Sequence, residues 1–304
     1  MLNKYFLINQ IIKTLVSNKF SIFINRGCFD IAAKKNYKML IKASFNLDGL
    51  TEEHALSLRS ISYFVSAYPL IVSVKTNRDF LDDKIIYYRF RVPAVTPKML
   101  DLLIKKEEIP FIEAKKGKSL VSVNCGILRE RRREMGLSLS ELSKLVGISK
   151  KALYEIENEK VRPSFETVKK IEMTLNIDLK QRFKLKIPEP GYLKPRNDFQ
   201  RTISEEFERI GIENACVYSA PFEIVGKEEE ALITRLIKDG EEGIRYSKNI
   251  KKLSYFLSSR AIFIAKNTKK ENTNGVPIFS EDEIKNIENL EEFEKILKEK
   301  INIS

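Results

Sequence analysis

Lys150, Lys151, Tyr154 and Glu155 fall on the outward side of one helix-length segment, 150–157, whose other side carries Leu153 and Ile156 at i, i+3 spacing. Such a set can read bases. Lysine donates to guanine O6 and N7 in a major groove and glutamate accepts from cytosine N4, so a G·C-containing half-site is within reach. Ser149, Asn158, Lys160 and, from an upstream arginine-rich segment, Arg129 are placed for phosphate oxygens. Taken singly, each lysine reads equally well as a solvated surface charge; as a set on one outward face they point to duplex DNA.

The elements that must hold this face can be read from their punctuation. Asn124 is an N-cap for a helix over Cys125 to Met135, which stops at Gly136. Ser138 and Glu141 form an S-x-x-E capping box that opens a second helix, with Leu142, Leu145 and Val146 expected on its inner face and Gly147 at the tight turn. Ser149 caps the third helix. Pro163 breaks the chain and Ser164 caps a fourth helix carrying Phe165, Val168, Ile171, Met173 and Leu175.

The run Leu137-Ser138-Leu139-Ser140-Glu141-Leu142, continuing through Gly147-Ile148-Ser149 to Glu157-Asn158 and Pro163-Ser164, resembles the Cro and phage-repressor type of helix-turn-helix over about fifty residues. The resemblance implies that Arg132 pairs with Glu157 and fixes the angle between the first and third helices, a structural role and not a base contact. Two positions depart from the pattern. Leu139 stands where many members carry a glutamine that touches DNA, and Glu159 replaces the usual glycine after the recognition helix, which implies local strain or a shifted boundary.

With 304 residues, 43% of them hydrophobic, the chain is long enough for two or three compact domains. The net charge of +12 is uneven: 20 basic and 11 acidic residues in 1–123 give +9, 15 and 9 in 124–186 give +6, and 19 and 22 in 187–304 give −3. The first two regions suit a polyanionic partner and the last does not. Cys28, Cys125 and Cys216 are isolated and His54 is the only histidine, so neither a disulfide framework nor a Cys/His zinc site can be assembled. No metal and no cofactor is expected. With no signal pattern and no apolar run of membrane-spanning length, the expected location is the cytoplasm, with no membrane partner.

A long-period repeat flanks the helix-turn-helix. Gly27-Cys28-Phe29-Asp30-Ile31-Ala32-Ala33-Lys34 matches Ala220-Pro221-Phe222-Glu223-Ile224-Val225-Gly226-Lys227. Ser62-Tyr63-Phe64-Val65 matches Ser254-Tyr255-Phe256-Leu257, and Val92-Pro93-Ala94 matches Val276-Pro277-Ile278. Each copy reads as helix, strand, hairpin, helix, strand, strand, helix, with the first helix presenting Tyr5, Ile8, Ile11, Ile12 and Leu15 on one face. The expected fold is therefore a duplicated mixed-sheet α/β domain with an all-α Cro-type domain inserted between the copies. Its parts are 1–110, a connecting hairpin at 111–123, the helix-turn-helix domain at 124–186, a proline-rich linker at 187–195, and 196–304.

Asp30 in one hairpin strand and Lys42 in the next resemble the metal-dependent nuclease core written PD-(D/E)xK, and Glu223 and Arg235 hold the matching places in the second copy. That core needs a second carboxylate two residues before the lysine, because a hard divalent cation is held by oxygen ligands. Leu40 and Ile233 stand there instead. Glu205 or Glu206 is the remaining carboxylate source in the second copy, and the plainer reading of Asp30 and Lys42 is a hairpin ion pair.

The layout of Phe29-Asp30-Ile31 with Ile41-Lys42, then Asn46-Leu47-Asp48-Gly49-Leu50-Thr51-Glu52-Glu53, Val92-Pro93-Ala94-Val95 and the helix-turn-helix is similar to a family of archaeal helix-turn-helix transcriptional regulators. The resemblance implies transcription control. The expectation is a non-enzymatic, sequence-specific reader of double-stranded DNA, acting as a homodimer because such modules read paired half-sites. Its rivals are a nuclease targeted by the module and a chromosome-organising protein.

Overall fold

The computed structural model describes residues 4–105, 112–115 and 118–302, so the expected boundary at 110–111 and the tip of the hairpin lie outside the described residues. The N-terminal α/β region runs α1 (Lys4–Ser17), β1 (Ser21–Ile24), β2 (Ile31–Lys34), β3 (Lys38–Asn46), α2 (Glu52–Phe64), β4 (Ala67–Lys75), β5 (Tyr87–Arg89), β6 (Val92–Val95) and α3 (Pro97–Ile104). A hairpin, β7 (Ile112–Lys115) and β8 (Lys118–Val121), precedes four helices: α4 (Cys125–Glu134), α5 (Leu139–Val146), α6 (Lys150–Glu157) and α7 (Phe165–Leu175). The C-terminal α/β region runs α8 (Asp198–Arg209), β9 (Glu213–Cys216), β10 (Ile224–Lys227), β11 (Ala231–Ile237), α9 (Gly240–Leu257), β12 (Arg260–Ala265), β13 (Asn272–Thr273), β14 (Val276–Ser280), α10 (Glu281–Asn286) and α11 (Leu290–Asn302).

The molecule is a mixed α/β protein with two six-stranded sheets. Their orders are β1-β2-β3-β4-β6-β5 and, read from the opposite edge, β9-β10-β11-β12-β14-β13, the same connectivity in each. In the second sheet β9, β10 and β11 are antiparallel neighbours, whereas β11, β12 and β14 run parallel, with α9 connecting β11 to β12. Among the described residues no helix is long and apolar enough to cross a membrane.

The chain divides into two compact units, residues 1–72, 89–92 and 186–304, and residues 73–88 and 93–185. In the first unit, α1 buries Leu7, Ile11 and Leu15, a stripe spaced by four, and leaves Tyr5 73% exposed. The expected face was therefore turned: its Ile11 and Leu15 are core, and Leu7 completes the stripe in place of Tyr5 and Ile12. The two hairpins of this unit meet directly. Cys28 N–H donates to Ser219 O at 2.6 Å, and Gly27 at φ +151° lies so close that a Cβ there would sit 1.8 Å from the same oxygen. Tyr218 N–H donates to Ser57 Oγ of α2 at 2.8 Å, and Lys38 Nζ caps the last carbonyl of α9, Leu257 O, at 2.7 Å.

The proline-rich segment is a strap rather than a loose linker. The buried Arg59 guanidinium of α2 donates to Glu189 O at 3.1 and 3.2 Å and to Pro190 O at 3.3 Å, and Gly191 N–H donates to Ser60 Oγ at 3.0 Å. A Cβ on Gly191 would stand 2.7 Å from the Leu56 Cα, so the close approach requires glycine.

The second unit has its own core of Ile112, Val121, Val123, Leu128, Leu142, Val146, Leu153, Ile156, Val168, Ile171, Leu175 and Leu179. The β7–β8 hairpin, expected as a connector, belongs to this core. Val121 N–H donates to Pro163 O at 2.9 Å, and Asn124 N–H to Leu179 O at 2.8 Å.

Candidate nucleic-acid interface

Each helix of the second unit starts where a side-chain oxygen can accept its free amides. Asn124 accepts from Ile127 N–H, Ser138 and Glu141 complete the reciprocal capping box, Ser149 accepts from Ala152 N–H, and Ser164 accepts from Thr167 N–H. α5 ends at Gly147 with φ 73°, the left-handed turn that sets α6 across it. Leu142 and Val146 face inward, but Leu145 is 62% exposed: the buried pair is spaced i, i+4, which rotates Leu145 off the seam. Met173, 74% exposed, is likewise outside the α7 core of Val168, Ile171 and Leu175.

The angle of α6 is fixed from α4. Arg132 Nε and Nη2 donate to Glu157 Oε1 and Oε2 at 2.6 and 3.0 Å, both residues buried, and Nη1 donates to Leu137 O at 2.8 Å. The carboxylate raises the Arg132 guanidinium pKa above its usual value, chiefly through these hydrogen bonds. Arg129 Nη2 donates to Glu157 O at 2.5 Å, and Arg131 Nε donates to Leu175 O at 3.2 Å. The arginine run thus serves as the clamp of the helix bundle, capping the C-terminal ends of α6 and α7. The Arg129 guanidinium, expected at a phosphate, is directed at the α6 carbonyl.

What α6 leaves outside is Lys150, Lys151 and Tyr154, all exposed, and the half-buried Glu155. Among the described residues neither Lys150 nor Lys151 has an ion-pair partner. Lys160 Nζ lies 5.6 Å from the Tyr154 ring centroid, and Asn158 Nδ2 donates to Tyr154 O at 2.7 Å, so these two side chains are arranged around the end of the helix. Glu159, in the place where glycine is usual, has φ 59°. A non-glycine residue there carries the strain its sequence position implied.

The nuclease-type positions lie in the first unit. Asp30 is buried; its Oδ1 accepts from Lys4 Nζ at 2.8 Å, its Oδ2 accepts from Ala43 N–H at 2.9 Å, and Lys42 Nζ stands 3.4 Å away and also donates to Gly27 O. Burial lowers the Lys42 pKa, outweighing the opposite pull of Asp30. In the C-terminal region Glu223 Oε2 accepts from Leu236 N–H at 2.8 Å and Arg235 Nη1 donates to Pro221 O at 2.6 Å, with the guanidinium 3.9 Å from Glu223 Oε1. A divalent cation does not fit either place. An ammonium occupies the free side of Asp30, Leu40 and Ile233 are buried apolar residues, and among the described residues no three potential metal-ligating side chains converge.

Sequence reasoning missed Lys4 and the inward roles of Arg129 and Arg131. The repeat offered one unused signal: the register that matches Ser62 with Ser254 also matches His54 with Tyr246, and Tyr246 packs on Arg235 with 3.6 Å from guanidinium carbon to ring centroid.

The architecture is that of a helix-turn-helix protein carrying a PD-(D/E)XK-type α/β domain: residues 128–181 match the helix-turn-helix family and residues 4–110 the PD-(D/E)XK superfamily domain. Proteins named "Putative HTH-type transcriptional regulatory protein" align over nearly their whole length. That of Methanobrevibacter smithii is 30% identical with 99% of each chain covered, and that of Methanothermobacter thermautotrophicus is 30% identical with 96% of each covered. The chain belongs to this archaeal family.

Proposed function

We propose that the protein is a cytoplasmic, sequence-specific regulator of transcription that binds double-stranded DNA as a homodimer, with α6 in the major groove. One observation carries the reading: α6 is locked by the buried Arg132–Glu157 pair while Lys150 and Lys151 project from it without ion-pair partners among the described residues. Lys150, Lys151, Tyr154 and Glu155 are the base-contacting set, and Ser149, Asn158 and Lys160 the phosphate-contacting set. The names borne by the archaeal relatives agree with this assignment.

The α/β regions are proposed to be duplicated domains, 1–110 and 196–304, with the helix-turn-helix segment inserted between them. The common strand order and the matching hydrogen bonds of Asp30 and Glu223 support a duplication. Their part in function is dimerisation and auxiliary contact, without catalysis.

The test is binding-site selection on random duplexes, followed by Lys151→Ala on the selected site. Roughly 1–3 kcal/mol of binding should be lost, with base preference relaxed at one position per half-site. An equal loss on all sequences would reduce Lys151 to a phosphate contact, and no selected site at all would favour a chromosome-organising role. The superfamily match over 4–110 raises a second reading, a metal-dependent nuclease. Plasmid incubated with the full chain and magnesium should stay intact; cleavage abolished by Asp30→Ala would establish the nuclease.

A further inference from the structure

At the N-terminal hairpin, two ammonium groups meet one carboxylate. Both Asp30 oxygens are engaged, Oδ1 by Lys4 and Oδ2 by the Ala43 N–H, with Lys42 beside it. An ammonium has three donors. Lys4 spends one on Asp30 and its side chain is 48% exposed, so it retains donors toward solvent. His54 faces the same cluster from α2, near enough that Lys42, Lys4 and Asp30 all act on its ionisation. Its imidazole has no hydrogen-bond partner among the described residues. The carboxylate of Glu53, exposed on the same helix, acts on it more strongly than Lys4 or Asp30 does. At the hairpin itself two ammonium groups thus stand against one buried carboxylate, with Glu53 outside it on α2, and Lys4 keeps free donors where a nuclease of this type would hold a metal.

The C-terminal hairpin shows the contrast. There the paired base is the Arg235 guanidinium, already bound to Pro221 O and covered by the Tyr246 ring, and a second guanidinium, Arg196, also acts on Glu223. In the repeat register Tyr246 holds the position that His54 holds in the N-terminal copy.

We infer that the N-terminal hairpin is a metal-independent phosphoryl-binding site, in which Lys4 and His54 take the anionic oxygens of a phosphate mono- or diester and the buried Lys42 adds positive charge behind them. A charge-assisted bond from Lys4, with the charge of Lys42 beneath it, supplies the attraction that a cation would otherwise provide. This inference does not depend on base reading by α6, since its ligand is recognised by charge and shape alone.

The test is titration of the full chain with inorganic phosphate in the presence of a chelator, followed by calorimetry and phosphorus NMR. Saturable binding is expected. Lys4→Ala should weaken it about tenfold, the effect of one lost charge-assisted hydrogen bond, and His54→Ala about threefold. Lys13→Ala, an exposed lysine on the same helix, should leave it unchanged. Lys4 is at the surface, so its removal separates loss of binding from loss of fold. Absence of saturable binding, a requirement for magnesium, or a Lys4→Ala protein that binds like the parent would overturn the site. Two competitors, tested on Lys151→Ala protein to mute α6, identify the source. Displacement by an unrelated duplex points to the DNA backbone and displacement by a mononucleotide to a small phosphorylated ligand; displacement by neither would overturn the assignment.

Discussion

At the N-terminal hairpin Asp30 accepts from one strand amide and from Lys4 and stands beside Lys42, whereas at the C-terminal hairpin Glu223 accepts from one strand amide and faces the Arg235 guanidinium at 3.9 Å. The backbone bond is the common part: each carboxylate satisfies the N–H of the residue after its basic partner, Ala43 or Leu236. Each base in turn donates to a carbonyl of the loop before its own carboxylate, Gly27 or Pro221. The pair staples a hairpin, and the staple persists when the charges around it change. What the two regions do not share is cover: Tyr246 packs on the base of one, and the imidazole at the other has no hydrogen-bond partner among the described residues.

The comparison breaks first if the two acids are equally important to stability. Asp30→Ala leaves Lys42 buried with no counter-charge and orphans the Ala43 N–H, and should lower the unfolding free energy by roughly 3–5 kcal/mol. Glu223→Ala should lower it by only about 1–2 kcal/mol, because Arg235 keeps its carbonyl and its aromatic ring. Urea denaturation of the two variants decides between them, and equal losses would mean that the surroundings of the staple do not matter.

A smaller effect sharpens the same contrast through pH. Burial raises the Glu223 carboxyl pKa above its usual 4.5, outweighing Arg235. The folded protein therefore holds this proton more tightly than the unfolded chain. The stability contributed by the group is full below about 4.5 and is lost as pH rises through the folded value. Glu223→Gln should accordingly gain in stability on the parent as the pH rises from acid to neutral. Unfolding measured across that range would show parallel curves if burial is not the dominant influence.

The smallest expected effect lies outside both hairpins. Glu159, at φ 59°, is strained in the conformation that glycine adopts freely, so Glu159→Gly should stabilise the helix-turn-helix unit by about 0.5–1 kcal/mol. Thermal unfolding followed by circular dichroism would reveal it, and a destabilised variant would mean that the Glu159 side chain contributes more than its backbone strain removes.

Local chemistry was legible in the sequence because it is written within a few residues. Caps at Asn124, Ser138, Ser149 and Ser164, the turn at Gly147 and the strain at Glu159 each depend on a side chain and the backbone beside it. The helix order followed from them, and the mixed α/β class from the repeated strand pattern. Faces were less secure. α1 offers more apolar residues than one stripe can bury, so its Tyr5 was assigned inward although the core takes Leu7, Ile11 and Leu15. α5 has the same surplus at Leu145.

Partners distant in sequence were decided only by the tertiary structure. Lys4 reaches Asp30, Arg129 and Arg131 turn inward onto the carbonyls of α6 and α7, and Arg59 with Ser60 straps down the proline-rich segment. A long basic side chain can serve equally as a solvated charge, a DNA contact or a helix cap, and composition does not distinguish among them. Sequence determined which residues were available and where helices and strands begin. Folding determined which of the charged groups are consumed within the protein and which, like Lys150 and Lys151, are left facing outward, because that depends on which unsatisfied carbonyl or carboxylate the packed chain brings within reach.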